Sequence, residues 1–219
     1  CEKDYLSDAR VRKALAMSLN RDVINQSIVA SRPESSYAFV PHGIPYEGSS
    51  EDYRTTVGNL FTEDVEAAKA LMEEAGYPGG EGYPTLTLIT QNDQEKKDVA
   101  QAMQAMWKEN LGVNVEIVTF EPKVYWDEQT AGNLQRNETQ CRWLNDQAKE
   151  YDSMMKEARS LTDNKKRMEL FEAGEKLLME EMPILPLYYR NAQLLVKPGC
   201  EGVIKTYIGH TIFKYADKQ

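Results

Sequence analysis

The sequence predicts an α/β fold: a mixed sheet with helices on both faces, organised around one strand–helix–strand unit. Three observations carry this. Thr85–Thr90 (Thr-Leu-Thr-Leu-Ile-Thr) alternates apolar and polar residues, the period of a half-buried strand. Val113–Phe120 (Val-Asn-Val-Glu-Ile-Val-Thr-Phe) repeats the pattern. Between them Asp93 can cap a helix running to about Leu111, with Val99, Met103, Met106 and Trp107 on one stripe and Gly112 as its stop. Strand, long helix, strand is a βαβ unit, so the two strands are expected to be parallel neighbours with a right-handed crossover.

The remaining elements follow in chain order. Residues 7–30 read as two consecutive helices. Ser7-Asp8 opens the first, Val11, Ala14, Leu15 and Leu19 form its apolar stripe, and Asn20-Arg21-Asp22 is the joint before Val23 and Ile24. The Arg/Lys face of this segment is expected to be wet. Residues 31–61 are loop-rich, punctuated by Pro33, Pro41, Gly43, Pro45 and Gly48. Thr62 can cap a helix over Glu63–Ala75, whose first-turn acids suit the positive end and whose Gly76 suits the C′ position. Tyr77-Pro78-Gly79-Gly80 is a turn. A helix is expected near Pro122–Gln129, and residues 132–147 show little periodicity. Helices follow over about Ala148–Ser160 and over Thr162–Glu181, the latter capped by Thr162. Ile184–Arg190 reads as a strand set off by Pro183, Gln193–Val196 as another, and Val203–Tyr215 is apolar enough to require a partner strand. Trp107 and Trp126 are expected to pack, as are the methionines at 103, 106, 168, 179 and 182.

Composition narrows the function. A chain of 219 residues can bury a sizeable core as one large domain or two small ones. A net charge of −9 leaves no basic stripe for phosphates and argues against nucleic acid as a partner. The longest apolar runs, such as Ile184–Tyr189, are too short to span a bilayer, and the N-terminus shows no charged and apolar leader pattern. Cys1, Cys141 and Cys200 lack metal-type spacing, and His42 and His210 set no ligand spacing, so no metal or cofactor is expected. Gly79-Gly80-Glu81-Gly82 has no strand before it and no helix after it, so it is not a phosphate loop. No G-x-S-x-G elbow occurs and Cys141 has no evident His partner. Acid pairs such as Glu73-Glu74 and Glu180-Glu181 sit side by side on helices and do not face one another. The chain is therefore not expected to be an enzyme.

Five segments, in order, resemble one family. Asp8-Ala9-Arg10-Val11-Arg12-Lys13-Ala14-Leu15 with Asn20-Arg21 is similar to its "D-x-R-V-R-x-A-L…(N/D)-R" opening. Ala68-Lys69 through Glu74-Ala75-Gly76 is similar to its "A-K-x-L-L-x-E-A-G" helix, and Trp107-Lys108 through Leu111-Gly112-Val113 to its "W-K-x-x-L-G-V" passage. Tyr151-Asp152 through Glu157-Ala158 and Pro183-Ile184 through Tyr188-Tyr189 resemble its "Y-D-x-L-I-x-E-A" helix and "P-I-x-P-L-Y-Y" strand. The family is the extracellular solute-binding proteins of the peptide/nickel class, the oligopeptide- and dipeptide-binding proteins that feed ABC transporters. The segment resembled is the second, C-terminal lobe.

The resemblance implies a periplasmic-binding-protein-like lobe over 1–190 with an unusually short 133–149 connection, and strands over 191–219 that in relatives return to a first lobe missing here. It implies non-catalytic capture of oligopeptides for the membrane permease of an importer, outside the cytoplasm. In full-length relatives there is a membrane anchor, and mature lipoproteins begin with an acylated cysteine, as Cys1 would allow. The alternative is a truncated or engineered lobe acting only as a scaffold or interaction module. Ligands of α/β sheets sit beyond the carboxyl ends of strands, which picks Thr90, Gln91 and Asn92. The same residues also serve as an ordinary approach to the Asp93 cap. Tyr188 and Tyr189, near the lobe junction, are the second candidates, with alternating core and surface positions as the plain reading. Trp143 and Asp146 stand where the family carries a ligand-facing acidic loop. Because the segments leading into and out of the lobe run side by side in the family, Cys1 with Cys200 is the disulfide the resemblance suggests. The apolar tail is expected to be reused as an added strand, within the chain or in a homodimer.

Overall fold

A computed structural model describes residues 4–130, 143–190, 196–205, 210–215 and 217–218. The chain opens with α1 (Asp4–Ser7), α2 (Ala9–Met17) and α3 (Arg21–Ser27), then β1 (Glu34–Ser35), α4 (Tyr53–Val57) and α5 (Val65–Glu74). The βαβ unit follows as β2 (Leu86–Gln91), α6 (Gln94–Leu111) and β3 (Val115–Phe120). After α7 (Pro122–Thr130) come α8 (Asp146–Ser160), α9 (Asn164–Glu181) and β4 (Tyr188–Tyr189). Four two-residue strands close the chain: β5 (Cys200–Glu201), β6 (Ile204–Lys205), β7 (Thr211–Ile212) and β8 (Asp217–Lys218).

The α/β expectation holds, with both parallel and antiparallel ladders. Among the described residues the pairing is divided over four two-stranded ladders. β2 and β3 are parallel, in register from Leu86↔Val115 to Gln91↔Phe120. The Leu86 N–H donates to Asn114 O, which fixes the phase of that ladder. Leu86, Leu88 and Thr90 therefore turn their main-chain groups toward β3, while Thr87 and Ile89 turn theirs to the opposite edge.

Local chemistry sets the helix ends. Asp93 accepts from Lys96 N–H at the start of α6, and Gly112 ends it at φ +70. That glycine is required twice over: a Cβ there would stand 2.0 Å from Gly79 O. The caps of α5 and α9 are Asp64 and Asp163, not the expected Thr62 and Thr162. An aspartate one or two residues along offers the stronger acceptor for the free N–H groups. The main core joins α2, α3, α5, α6, β2 and β3 through Val11, Leu15, Ile24, Met72 and Trp107, with Trp107 Nε1 donating to Leu15 O at 2.8 Å. A second cluster sets Trp143 and Ala148 against Leu178 and Met179.

Three expectations are corrected. The basic face of the opening helices is not wet throughout: Arg12 is 6% exposed and Arg21 fully buried. Arg12 donates to the carbonyls of Leu6, Ser7 and Glu181. Arg21 donates to those of Ala16, Leu19 and Pro186, with Glu63 as its counter-ion and Phe61 stacked on its guanidinium. The strand expected over Ile184–Arg190 shortens to Tyr188–Tyr189, since Pro183 and Pro186 lack the N–H a ladder needs. Its antiparallel partner is Glu34–Ser35, inside the segment read as loop. Trp126 does not pack into the core: it is 53% exposed, with its ring edge-on to Tyr125. Among the described residues the tail strands find partners within the chain, β5 with β8 and β6 with β7. Of the strand expected over Gln193–Val196, positions 193–195 lie outside the described residues.

Candidate functional site

The carboxyl end of β2 brings two of the predicted residues together. Thr90 and Tyr188 line a recess of about 140 Å³ with Leu88, Glu95, Lys96, Val99 and Met103. Thr90 is placed there by the β2–β3 register, and Tyr188 by its pairing with Ser35. Glu95 belongs to the first turn of α6, where Asp93 sets the helix start, and its Oε2 accepts the Ala30 N–H at 2.9 Å. Burial, and then the Glu95 carboxylate, push the Tyr188 phenol above its ordinary pKa, so it stays a neutral donor. The recess thus combines an apolar floor with a hydroxyl, a phenol, a carboxylate and the Lys96 side chain, whose ammonium donates to Gln91. That set can hold a small polar group by hydrogen bonds.

Gln91 and Asn92 sit at the rim and are already engaged. Lys96 Nζ donates to Gln91 Oε1. Lys97 Nζ donates to Asn92 Oδ1 at 3.0 Å, and Asn92 Nδ2 donates to Glu121 Oε1 at 2.5 Å. Tyr189 faces the other way, as alternation along a strand demands. Its hydroxyl donates to Ala38 O at 3.3 Å and its ring meets His42 edge-on. Burial raises its pKa.

Trp143 and Asp146 do not join this recess. Trp143 is 1% exposed, packed in the second cluster with its ring 5.7 Å from that of Tyr151. Its face is spent on the fold. Asp146 is the first residue of α8, exposed, and paired with Lys149 at 2.7 Å, whose ammonium lowers its pKa. Cys200 is a half-buried free thiol, while Cys1 and Cys141 lie outside the described residues.

Two features escaped the sequence reading. Glu95 follows the Asp93 cap, and an acid there is equally well explained by the helix dipole. Arg54 and Glu175 form a buried pair, 2.7 Å apart, with Glu175 Oε1 also accepting from the Phe39 and Val40 N–H groups. No local signal links positions 121 residues apart. Among the described residues, no group of three or more His, Cys, Asp or Glu is arranged to hold a metal, and no helix is long and apolar enough to cross a membrane.

A parallel pair with a crossover helix, a strand-end recess and an all-helical flank define a lobe of the periplasmic-binding-protein fold. The chain belongs to the bacterial extracellular solute-binding proteins, family 5, matching the middle region of that family over residues 1–156. It is 29% identical to the dipeptide-binding protein DppE of Bacillus subtilis, over 95% of this chain and 42% of that protein. It is 27% identical to the oligopeptide-binding protein OppA of the same organism, over 98% and 43%. The substrate-binding domain of an oligopeptide ABC transporter from Bacillus anthracis superposes with a TM-score of 0.77 at 23% identity, over 96% of this chain and 46% of that one. The chain therefore spans about two fifths of the length of the curated relatives it matches. The DppE alignment runs over 234 positions against 219 residues here, so that relative carries residues with no counterpart in this chain.

Proposed function

We propose that this chain is the second lobe of the substrate-binding component of an ABC importer and captures oligopeptides without chemical change. The observation that carries this is the strand-end recess of Thr90, Glu95 and Tyr188 in a lobe of this family. Its groups suit main-chain amides and an amino terminus better than any reaction. The named relatives that bind dipeptides and oligopeptides support the ligand class. In this reading the lobe works outside the cytoplasm, opposite a first lobe and beside a membrane permease, with domain closure as the moving part. The exposed Ile204, Ile212, Phe213 and Tyr215 of the tail are then the face that the first lobe covers, or a second copy when the lobe is alone.

A bare scaffold is the second reading, favoured by the engagement of Gln91 and Asn92 with neighbouring side chains. Calorimetry with a mixed oligopeptide pool separates the two. Saturable heat, lost in Tyr188→Ala, supports capture. A flat trace at millimolar peptide rejects it.

A further inference from the structure

A recess of about 390 Å³ opens between the end of α2, the turn at 60–62 and the last turns of α9. It shares no lining residue with the strand-end recess. Its volume falls in the range of small-molecule sites. Main-chain bonds fix its walls. The Asp64 N–H donates to Met17 O, the Leu60 N–H to Tyr37 O and the Met182 N–H to Leu178 O, each at 3.0 Å. The Phe61 ring is held from behind by the Arg21 guanidinium, 4.8 Å from its centre. A recess already fixed in this way loses little entropy when a ligand enters.

The lining selects an occupant. Met17, Leu60, Phe61, Met179 and Met182 supply the apolar surface, and the unbranched thioethers adapt to the shape of what lies against them. The polar surface carries an unused charge of each sign. Lys176 is engaged, its Nζ donating to Glu172 Oε1 at 2.6 Å. The half-buried Lys13 side chain and the exposed Glu180 side chain have no hydrogen bond or ion pair among the described residues. They line one recess without pairing to each other. A simple anion that met Lys13 would also meet the Glu180 carboxylate, and a simple cation would meet the reverse. A ligand with a carboxylate, an ammonium and an apolar side chain satisfies both charges and the floor.

We infer that this recess is a second ligand site, for a free apolar α-amino acid. Its carboxylate lies on Lys13, its ammonium on Glu180 and its side chain against Met17, Phe61 and Met179. The site is separate from the capture function proposed above and stands or falls without it. Met182 is common to this recess and to an apolar one of about 240 Å³ between Leu86–Leu88 and Trp107, so the bound amino acid abuts the far side of that wall.

The test titrates the 219-residue chain, labelled at its methionine methyl groups, with L-leucine and reads the methyl signals by NMR. The Met17 and Met179 signals are expected to shift saturably, while Met103 and Met168, which line other recesses, stay in place. L-Alanine, which lacks the apolar branch, should bind at least about tenfold more weakly. Isocaproate lacks the ammonium and isoamylamine lacks the carboxylate, and each should bind more weakly than leucine. Lys13→Gln should weaken leucine about tenfold and leave isoamylamine unchanged. Glu180→Gln should weaken leucine about threefold and should not weaken isocaproate. Neither side chain has a partner among the described residues, so both variants should keep the parent Tm. The analogue series on the parent chain tests the same point without any variant. Leucine that moves Met103 and leaves Met17 and Met179 still would overturn the assignment. So would isocaproate binding as tightly as leucine, or titration to high millimolar leucine without a shift at Met17 and Met179.

Discussion

Replacing Glu175 by alanine tests whether the loop after β1 is fixed to the α8–α9 pair by one buried charge. Glu175 is 3% exposed and accepts four hydrogen bonds: two from the Arg54 guanidinium at 3.2 and 2.7 Å and two from the Phe39 and Val40 amides at 3.0 and 2.7 Å. Arg54 is itself 3% exposed. Truncating one member of a buried pair leaves the other charge unsolvated, which costs about 3–5 kcal/mol. For a chain of this length, about 4 kcal/mol corresponds to a fall in Tm of roughly 8–16 °C. The pair as such need not be net stabilising. Arg54→Met combined with Glu175→Leu removes both charges and leaves only two orphan amides, so it should cost about 2 kcal/mol, less than the single change. Reversible urea unfolding of the parent, Glu175→Ala and the double variant measures all three. A single variant within about 1 kcal/mol of the parent, or a double variant worse than the single, would refute the reasoning.

Arg21→Lys should destabilise by about 2 kcal/mol in the same assay, because an ammonium cannot reach three carbonyls and stack on Phe61 at once. Gly112→Ala, with its Cβ against Gly79 O, should cost at least about 3 kcal/mol, whereas Gly76→Ala, at φ +92 in open space, should cost about 1–2 kcal/mol. Equal Tm losses for the two would show that backbone approach is not the cause. Asp52 caps α4, and the Gly43 N–H, followed by the Thr55 N–H, holds its carboxyl below the ordinary 3.8. A depressed folded pKa contributes stability that is complete above the unfolded value and lost as pH falls through the folded one. The urea midpoints of the parent and Asp52→Asn should therefore converge as pH drops from about 5 to about 2. Parallel curves would contradict this.

Wherever the physics was local, the fold was legible. Alternation located β2 and β3 to within two residues, and Asp93 and Gly112 bounded α6 as read. Where a long-range partner decided the outcome, the local signal pointed elsewhere. Glu34-Ser35 has no strand character of its own and pairs because Tyr188-Tyr189 lies alongside. Arg12 and Arg21 looked solvated because helical periodicity places basic residues opposite the apolar stripe. They are buried because carbonyls from distant segments converge on them. The site was legible in part for the same reason. The rule about strand ends reached Thr90, and the junction argument reached Tyr188. Trp143 is buried in this structure, and a buried ring and a ligand-stacking ring look identical in sequence.

The guanidinium of Arg12 ties together segments far apart along the chain. It grips the carbonyls of Leu6 and Ser7 at the start of the chain and that of Glu181 at the end of α9, up to 175 positions away. Arg21 makes a like bridge from the end of α2 to Pro186. The opening helices and the Glu181–Pro186 segment are thereby riveted into one block by two guanidiniums.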